Sequence, residues 1–324
     1  MLYAIRFHSN RLLRLAYGTT FLEISKSNIG IVRFPYPPLQ EQQKIASIIS
    51  KADELIQKTD QIIEQTQRLE KGLMQRLLSR GIGYTEFKEV KRFSDIYRKI
   101  PFDWDIAEFN ELIEDVRYGT SVKCTSESIG VPILRIPNVI NGTIDFQDLK
   151  YATLSEEHVE KYKLRNGDML FIRTNGNREY VGRSAIFDEN TRAYAFASYL
   201  IRVKLKSNRI IPHFANIQFS IPVLKKQLFN NAKTSAGQYN INTQGLKSLK
   251  VLIPPLTMQE RILSNISNII KNIQTQCEYR ASLQLLKRGL MQKLLTDTTL
   301  PLTRHAIPFR LASWDKFLLH QIYR

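Results

Sequence analysis

Cysteine is nearly absent from this 324-residue chain: only Cys124 and Cys277 occur, far apart and with no ligand residues beside them. That excludes a disulfide framework and a cysteine zinc site, and it points to a reducing cytoplasm. Long apolar runs are missing too, since charges interrupt every candidate segment before the roughly 18 residues a membrane span needs. The opening Met1-Leu2-Tyr3-Ala4-Ile5-Arg6 lacks the apolar core and small-residue site of a secretory signal. No G-x-x-x-x-G-K-[ST] phosphate loop occurs, and no glycine-rich loop for S-adenosylmethionine follows a clear strand. His8, His158, His213, His305 and His320 are scattered without ligand spacing, so no metal site is expected. Acidic residues are the last shortage. Against 30 Asp and Glu stand 47 Lys and Arg, a formal charge of +17. Such an excess attracts polyanions, because each neutralised phosphate releases condensed counterions. A membrane surface would favour one concentrated basic segment, whereas here the basic residues are spread along the whole chain. Nucleic acid is the expected partner.

What the chain does contain is a repeat. Pro37-Pro38-Leu39 recurs as Pro254-Pro255-Leu256, and Lys71-Gly72-Leu73-Met74-Gln75-Arg76-Leu77-Leu78 as Arg288-Gly289-Leu290-Met291-Gln292-Lys293-Leu294-Leu295. Both pairs share an offset of 217, and 18 of the 42 positions from Pro37 to Leu78 are identical at that offset. This is a duplication. Each copy predicts one long helix, over 37–82 and 254–296, entered through the proline pair, whose fixed φ suits a first turn. In the first copy, apolar residues fall at Ile45, Ile48, Ile49, Ala52, Leu55, Ile56, Ile62, Ile63, Leu69, Leu73 and Leu77. In the second they fall at Ile262, Ile266, Ile269, Ile270, Ile273, Leu283, Leu286, Leu290 and Leu294. Spacings of three and four give a coiled-coil seam, and the two related helices, each roughly 60 Å long, are expected to pack antiparallel. Thr59, Thr66, Gln276 and Arg280 soften its middle.

Between the helices, 86–253 has another character. Val131-Pro132-Ile133-Leu134-Arg135-Ile136, Met169-Leu170-Phe171-Ile172-Arg173, Ser184-Ala185-Ile186-Phe187 and Tyr199-Leu200-Ile201-Arg202-Val203 read as strands, with turn signals at Asn141-Gly142 and Asn166-Gly167-Asp168. Pro212 to Phe229 reads as two helices broken at Pro222. The expected fold class is α+β, a mixed domain flanked by two long helices. By the 217-residue offset, an equivalent domain would begin about 130 residues before Met1, so 1–36 is expected to match only its end, while 297–324 matches nothing.

Several stretches, in this order, resemble the DNA-specificity subunits of Type I restriction–modification systems. Ile100-Pro101-Phe102-Asp103-Trp104 is similar to the entry of that family's target-recognition domain. Ile133-Leu134-Arg135-Ile136-Pro137-Asn138-Val139 resembles its first core strand, and Leu164 to Arg173 with Val181-Gly182-Arg183 its central hairpin. Ser235-Ala236-Gly237-Gln238-Tyr239-Asn240-Ile241-Asn242, followed by Pro254-Pro255-Leu256 and Gln259-Glu260, resembles the junction with the conserved helix. The resemblance implies a non-catalytic subunit that recognises double-stranded DNA and docks methyltransferase subunits and a restriction motor subunit. Those partners would supply the S-adenosylmethionine, ATP and magnesium chemistry, and this chain would need no cofactor. Family members usually carry two complete recognition domains, so one domain and a stub implies a half-site, from a truncated or rearranged reading frame or from a half-type subunit that pairs with a second specificity chain.

Reading DNA needs arginine for guanine, asparagine or glutamine for adenine, and lysine for phosphates. Two predicted loops supply this mixture: Arg173, Asn175, Asn177, Arg178, Tyr180 and Arg183, then Lys233, Ser235, Gln238 and Asn240. Lys233 is expected on a phosphate and Arg178 on a base, with Arg135 and Asn138 as further candidates. Two other readings stay open. One is a coiled-coil assembly protein with a non-binding domain. The other is a metal-dependent nuclease, from the D-x-K spacing of Asp148-Leu149-Lys150 with Asp145 nearby. Phe34-Pro35-Tyr36-Pro37-Pro38 has the wrong leading residue and order for an amino-methyltransferase motif.

Overall fold

In a computed structural model the described residues are 2–18, 22–32, 37–90, 98–140, 142–235 and 237–296. The tail 297–324 with His305 and His320, Asn141, Phe34-Pro35-Tyr36 and the side chain of Ser235 lie outside that description. Two compact units divide the described residues, one within 1–68 and 271–296, the other within 69–270. Both long helices, Leu39–Arg80 and Leu256–Thr296, run through this division, so the units do not follow the repeat. No helix among the described residues is long and apolar enough to cross a membrane. Gln42 and Gln259, equivalent in the two copies, each donate a side-chain amide to the carbonyl of the first proline, Pro37 and Pro254, at 2.8 Å.

In the first unit the helices pair antiparallel. Asp53 meets Lys287 and Asp60 meets Arg280, so seven steps up one helix match seven steps down the other. Ile45, Ile49, Ala52 and Thr59 are buried on one helix and Leu283 on the other. Their four-and-three spacing is that of knobs packed into holes. Three of the four polar residues in the middle of the seam have partners. Thr59 and Thr66 donate their hydroxyls to the carbonyls of Leu55 and Ile62, both at 2.8 Å, and Arg280 holds Asp60. The predicted seam is corrected: Leu69, Ile270 and Leu286 are exposed, and Ile48, Leu55 and Ile62 do not belong to the seam but are 43%, 45% and 46% exposed. A seam repeating every 3.5 residues uses two positions in seven, and these three fall at a different position, forming a second apolar row. Short helices Leu2–Phe7, Ser9–Leu13 and Lys26–Gly30 complete the unit, and the Tyr3 hydroxyl donates to Asp53 at 3.0 Å.

The second unit is built on an antiparallel sheet in the order Ser184–Phe187, Asp168–Ile172, Leu200–Leu205, Ile113–Tyr118. Both faces are covered, which is why Met169-Leu170-Phe171-Ile172 is an unbroken apolar run and not an alternation. Met169, Phe171, Ile201 and Val203 share one core with Phe214 and Leu224 of helices Pro212–Gln218 and Pro222–Asn231, and with Leu77, Leu78 and Ile262 of the long helices. Leu170, Ile172, Phe187 and Leu200 face Leu134, Val139, Tyr194 and Phe196 on the other side. Strand Lys250–Ile253 leads into the second long helix and pairs with Asp105–Glu108 along one edge. Along its other edge two glutamines replace a strand. Gln227 accepts from the Lys250 N–H (2.8 Å) and donates to its carbonyl (3.1 Å), and Gln218 does the same for Leu252 at 2.9 and 3.0 Å. Buried backbone groups that lack a neighbouring strand are thereby satisfied.

Candidate nucleic-acid interface

The two predicted loops are one small sheet. Strands Thr174–Asn175, Gln238–Asn240 and Lys233–Ser235 lie side by side in that order, with Thr174 and Lys233 both opposite Asn240. Gly237, at φ +73°, turns the Lys233–Asn240 hairpin in a conformation other residues resist. These strands are too short and polar to show the alternation by which a strand is recognised in sequence. The sheet gathers Arg173, Asn175, Lys233, Gln238 and Asn240, while Asn177, Arg178, Tyr180 and Arg183 follow directly in and around the turn Arg178–Tyr180.

Each arginine here is stacked on an aromatic ring and tied to one backbone carbonyl. The Arg173 guanidinium lies 4.6 Å over the Tyr118 ring and donates to the Ser198 carbonyl at 3.4 Å. Arg178 lies 5.2 Å from the Phe229 ring and 5.8 Å from Tyr239, and donates to the Phe229 carbonyl at 2.9 Å. Arg183 lies 3.9 Å over Tyr180 and donates to the Glu179 carbonyl at 3.0 Å. Among the described residues none of the three is paired with a carboxylate, whereas Arg117, Arg135, Arg202, Arg209 and Arg280 all are. Stacking fixes a guanidinium's plane while leaving its charge uncompensated. Lys233 is exposed and also forms no ion pair among the described residues. Asn175 and Asn177 use their oxygens to hold the turn, accepting from the Asn177 and Glu179 N–H groups at 2.8 and 3.0 Å, and among the described residues their amide donors stay unspent. Gln238 accepts from the Thr174 hydroxyl at 3.0 Å.

Two candidates are withdrawn from the interface. Asn138 is 2% exposed, accepts from the Arg135 N–H (2.9 Å), and donates to the Asp145 and Gln147 carbonyls (2.9 and 3.2 Å). Both its amide hydrogens are spent on the fold. Arg135 is bound to the Asp148 carbonyl (3.0 Å) and carboxylate (3.2 Å). That same carboxylate also meets Lys150 at 3.5 Å, so the D-x-K triplet forms an internal ion pair. The supports of Arg173 and Arg178, namely Tyr118, Phe229 and Tyr239, carry no sequence signal, because rings 51 to 61 residues away from their arginines leave no local pattern. At the end of the sheet lies a cavity of about 320 Å³, lined by Arg173, Asn231, Lys233, Asn240, Ile241 and Asn242.

Residues 1–68 and 101–284 match the Type I restriction modification DNA specificity domain. The chain belongs to that family. It is 27% identical over 273 residues to the Type I restriction enzyme EcoKI specificity subunit of Escherichia coli, covering 83% of this chain and 57% of that protein. It is 32% identical over 203 residues to the putative Type I restriction enzyme MjaX specificity subunit of Methanocaldococcus jannaschii, covering 61% of this chain and 47% of the other. The chain therefore spans about half the length of these specificity subunits. Its fold is similar to that of the S subunit from M. genitalium, with a TM-score of 0.54 at 16% identity over 92% of this chain and 72% of that one. The HsdS subunit from Thermoanaerobacter tengcongensis gives 0.52 at 16% identity, over 90% and 68%. The two matched segments include much of both repeated helices and most of the mixed domain between them.

Proposed function

We propose that this specificity-family member recognises one half-site of duplex DNA through the three-stranded sheet and the 175–183 segment, and has no catalytic site of its own. The observation that carries this reading is the set of three ring-stacked arginines without carboxylate partners among the described residues. Three preorganised and uncompensated arginines, with amide donors between them, suit an anionic partner that carries a hydrogen-bonding code. Selection from random duplexes, with the chain bound to its methyltransferase partner, should return a consensus half-site. Failure to enrich any sequence would sink the reading. Within it, Arg178→Ala should cost about 1–3 kcal/mol at one base position and relax preference there. Equal losses on matched and mismatched duplexes would demote Arg178 to backbone positioning.

The docking role is supported by the exposed row Ile48, Leu55 and Ile62. Apolar side chains recurring every seven residues suit a further helix, from a methyltransferase subunit or a second specificity chain. S-adenosylmethionine chemistry, ATP hydrolysis and magnesium would then reside in the methyltransferase and restriction partners. Leu55→Glu should leave the melting temperature nearly unchanged and abolish co-purification with the methyltransferase subunit. Retained co-purification would place the docking surface elsewhere.

A further inference from the structure

The cavity at the end of the three-stranded sheet has a one-sided chemistry. Two cations, Arg173 and Lys233, and three carboxamides, Asn231, Asn240 and Asn242, line it with Ile241, and no carboxylate does. The fold holds these walls in place. Asn242 caps helix Thr243–Lys247 by accepting from the Gly245 N–H at 2.8 Å, and among the described residues its amide donors are unspent. Asn231 gives one amide hydrogen to the Gln227 carbonyl (3.1 Å), and Asn240 gives one to the Gln238 carbonyl (3.3 Å), so each keeps a second. Arg173 is fixed from behind by Tyr118, whose hydroxyl accepts from the Thr243 N–H at 3.2 Å. The Ile241 N–H donates to the Arg173 carbonyl at 2.9 Å, which joins the two walls through the backbone.

Donors therefore outnumber free acceptors throughout the lining. A base edge presents donors and acceptors in combination and needs both in return. A phosphate presents only acceptors and one negative charge, which is what two cations and several amide hydrogens can satisfy. The volume far exceeds the roughly 10–15 Å³ that one water needs, ample for a phosphodiester with its flanking sugar atoms.

We propose that this cavity seats one backbone phosphate of the bound duplex, with Arg173 and Lys233 as its paired cations. Arg173 is thereby a positioning residue, and base reading falls to Arg178, Arg183 and the amides beside them. The assignment rests on the DNA-recognition reading above and divides its surface into a phosphate anchor and a reading segment.

The test uses the full 324-residue chain and a duplex carrying its selected half-site, with single phosphates replaced by neutral methylphosphonates along each strand. One position should weaken binding of the parent about tenfold, the scale of a charge-assisted contact. The same replacement should cost Lys233→Gln and Arg173→Gln less than about twofold, since the contact is already gone. Each variant should lower the salt slope by about one unit while keeping the parent's base preference. Lys233 is exposed, so its variant remains informative if Arg173→Gln alters the fold, which a melting curve would report. Variants as sensitive as the parent to every methylphosphonate, or a changed base preference in Arg173→Gln, overturn the phosphate assignment and leave DNA recognition standing. A parent chain that binds no duplex in preference to a scrambled one overturns the DNA reading, and the phosphate seat with it.

Discussion

Replacing Ile49 by aspartate is expected to destabilise the paired helices by about 3–5 kcal/mol, while the same change at Ile48 costs less than about 1 kcal/mol. The two residues are adjacent and chemically identical, yet Ile49 is fully buried in the seam and Ile48 is 43% exposed. An aspartate at position 49 loses its hydration and has no cation provided for it. The nearest interhelical pairs, Asp53 with Lys287 and Asp60 with Arg280, are already complete. At position 48 the carboxylate stays in water. Thermal melting followed by far-ultraviolet circular dichroism would separate the two. Equal losses would mean that the seam runs along a different face of the helix.

The second large effect concerns the glutamine shared by the two copies. Gln259 is fully buried and serves three backbone groups: it accepts from the Ile211 N–H (2.8 Å) and donates to the Arg209 (3.0 Å) and Pro254 (2.8 Å) carbonyls. Gln259→Leu keeps the volume and strands all three, at roughly 1–2 kcal/mol each, so a loss of about 3–6 kcal/mol is expected. Its equivalent Gln42 is half-buried and, among the described residues, gives its side chain only to Pro37. Gln42→Leu should cost about 1 kcal/mol. Urea unfolding followed through the buried Trp104 reports the first directly. A midpoint for Gln259→Leu indistinguishable from the parent's would show that water replaces the lost partners.

The long helices and the central strands were legible because their signals are periodic and local. The proline entries, the three-and-four spacing and the run Met169 to Ile172 each belong to a single element. The seam was overread because Ile48, Leu55 and Ile62 are as apolar as Ile45 and Ile49, and composition alone cannot assign positions within the heptad. The candidate site was half legible. Its arginines and amides were visible as residue types, but Asn138 carries the same side chain as Asn177 and is consumed by the fold. Which of two asparagines is free depends on carbonyls supplied by other segments. The rings beneath Arg173 and Arg178 depend on tertiary contact in the same way, whereas Tyr180 under Arg183 is a near neighbour in sequence.

The two ion pairs of the first unit also act as an alignment mark. A heptad seam is indifferent to sliding, since a shift of seven residues, about 10 Å, brings apolar positions back onto apolar positions. The charges are not indifferent. Slide one way, and Asp53 meets Arg280 while Asp60 faces Ile273 and Lys287 faces Ala46. Slide the other way, and Asp60 meets Lys287 while Asp53 faces Leu294 and Arg280 faces Gln67. Either slip keeps one pair and leaves an unlike acid and base facing neutral side chains. The hydrophobic seam thus supplies adhesion, and two aspartates supply the ruler by which the helices measure their own overlap.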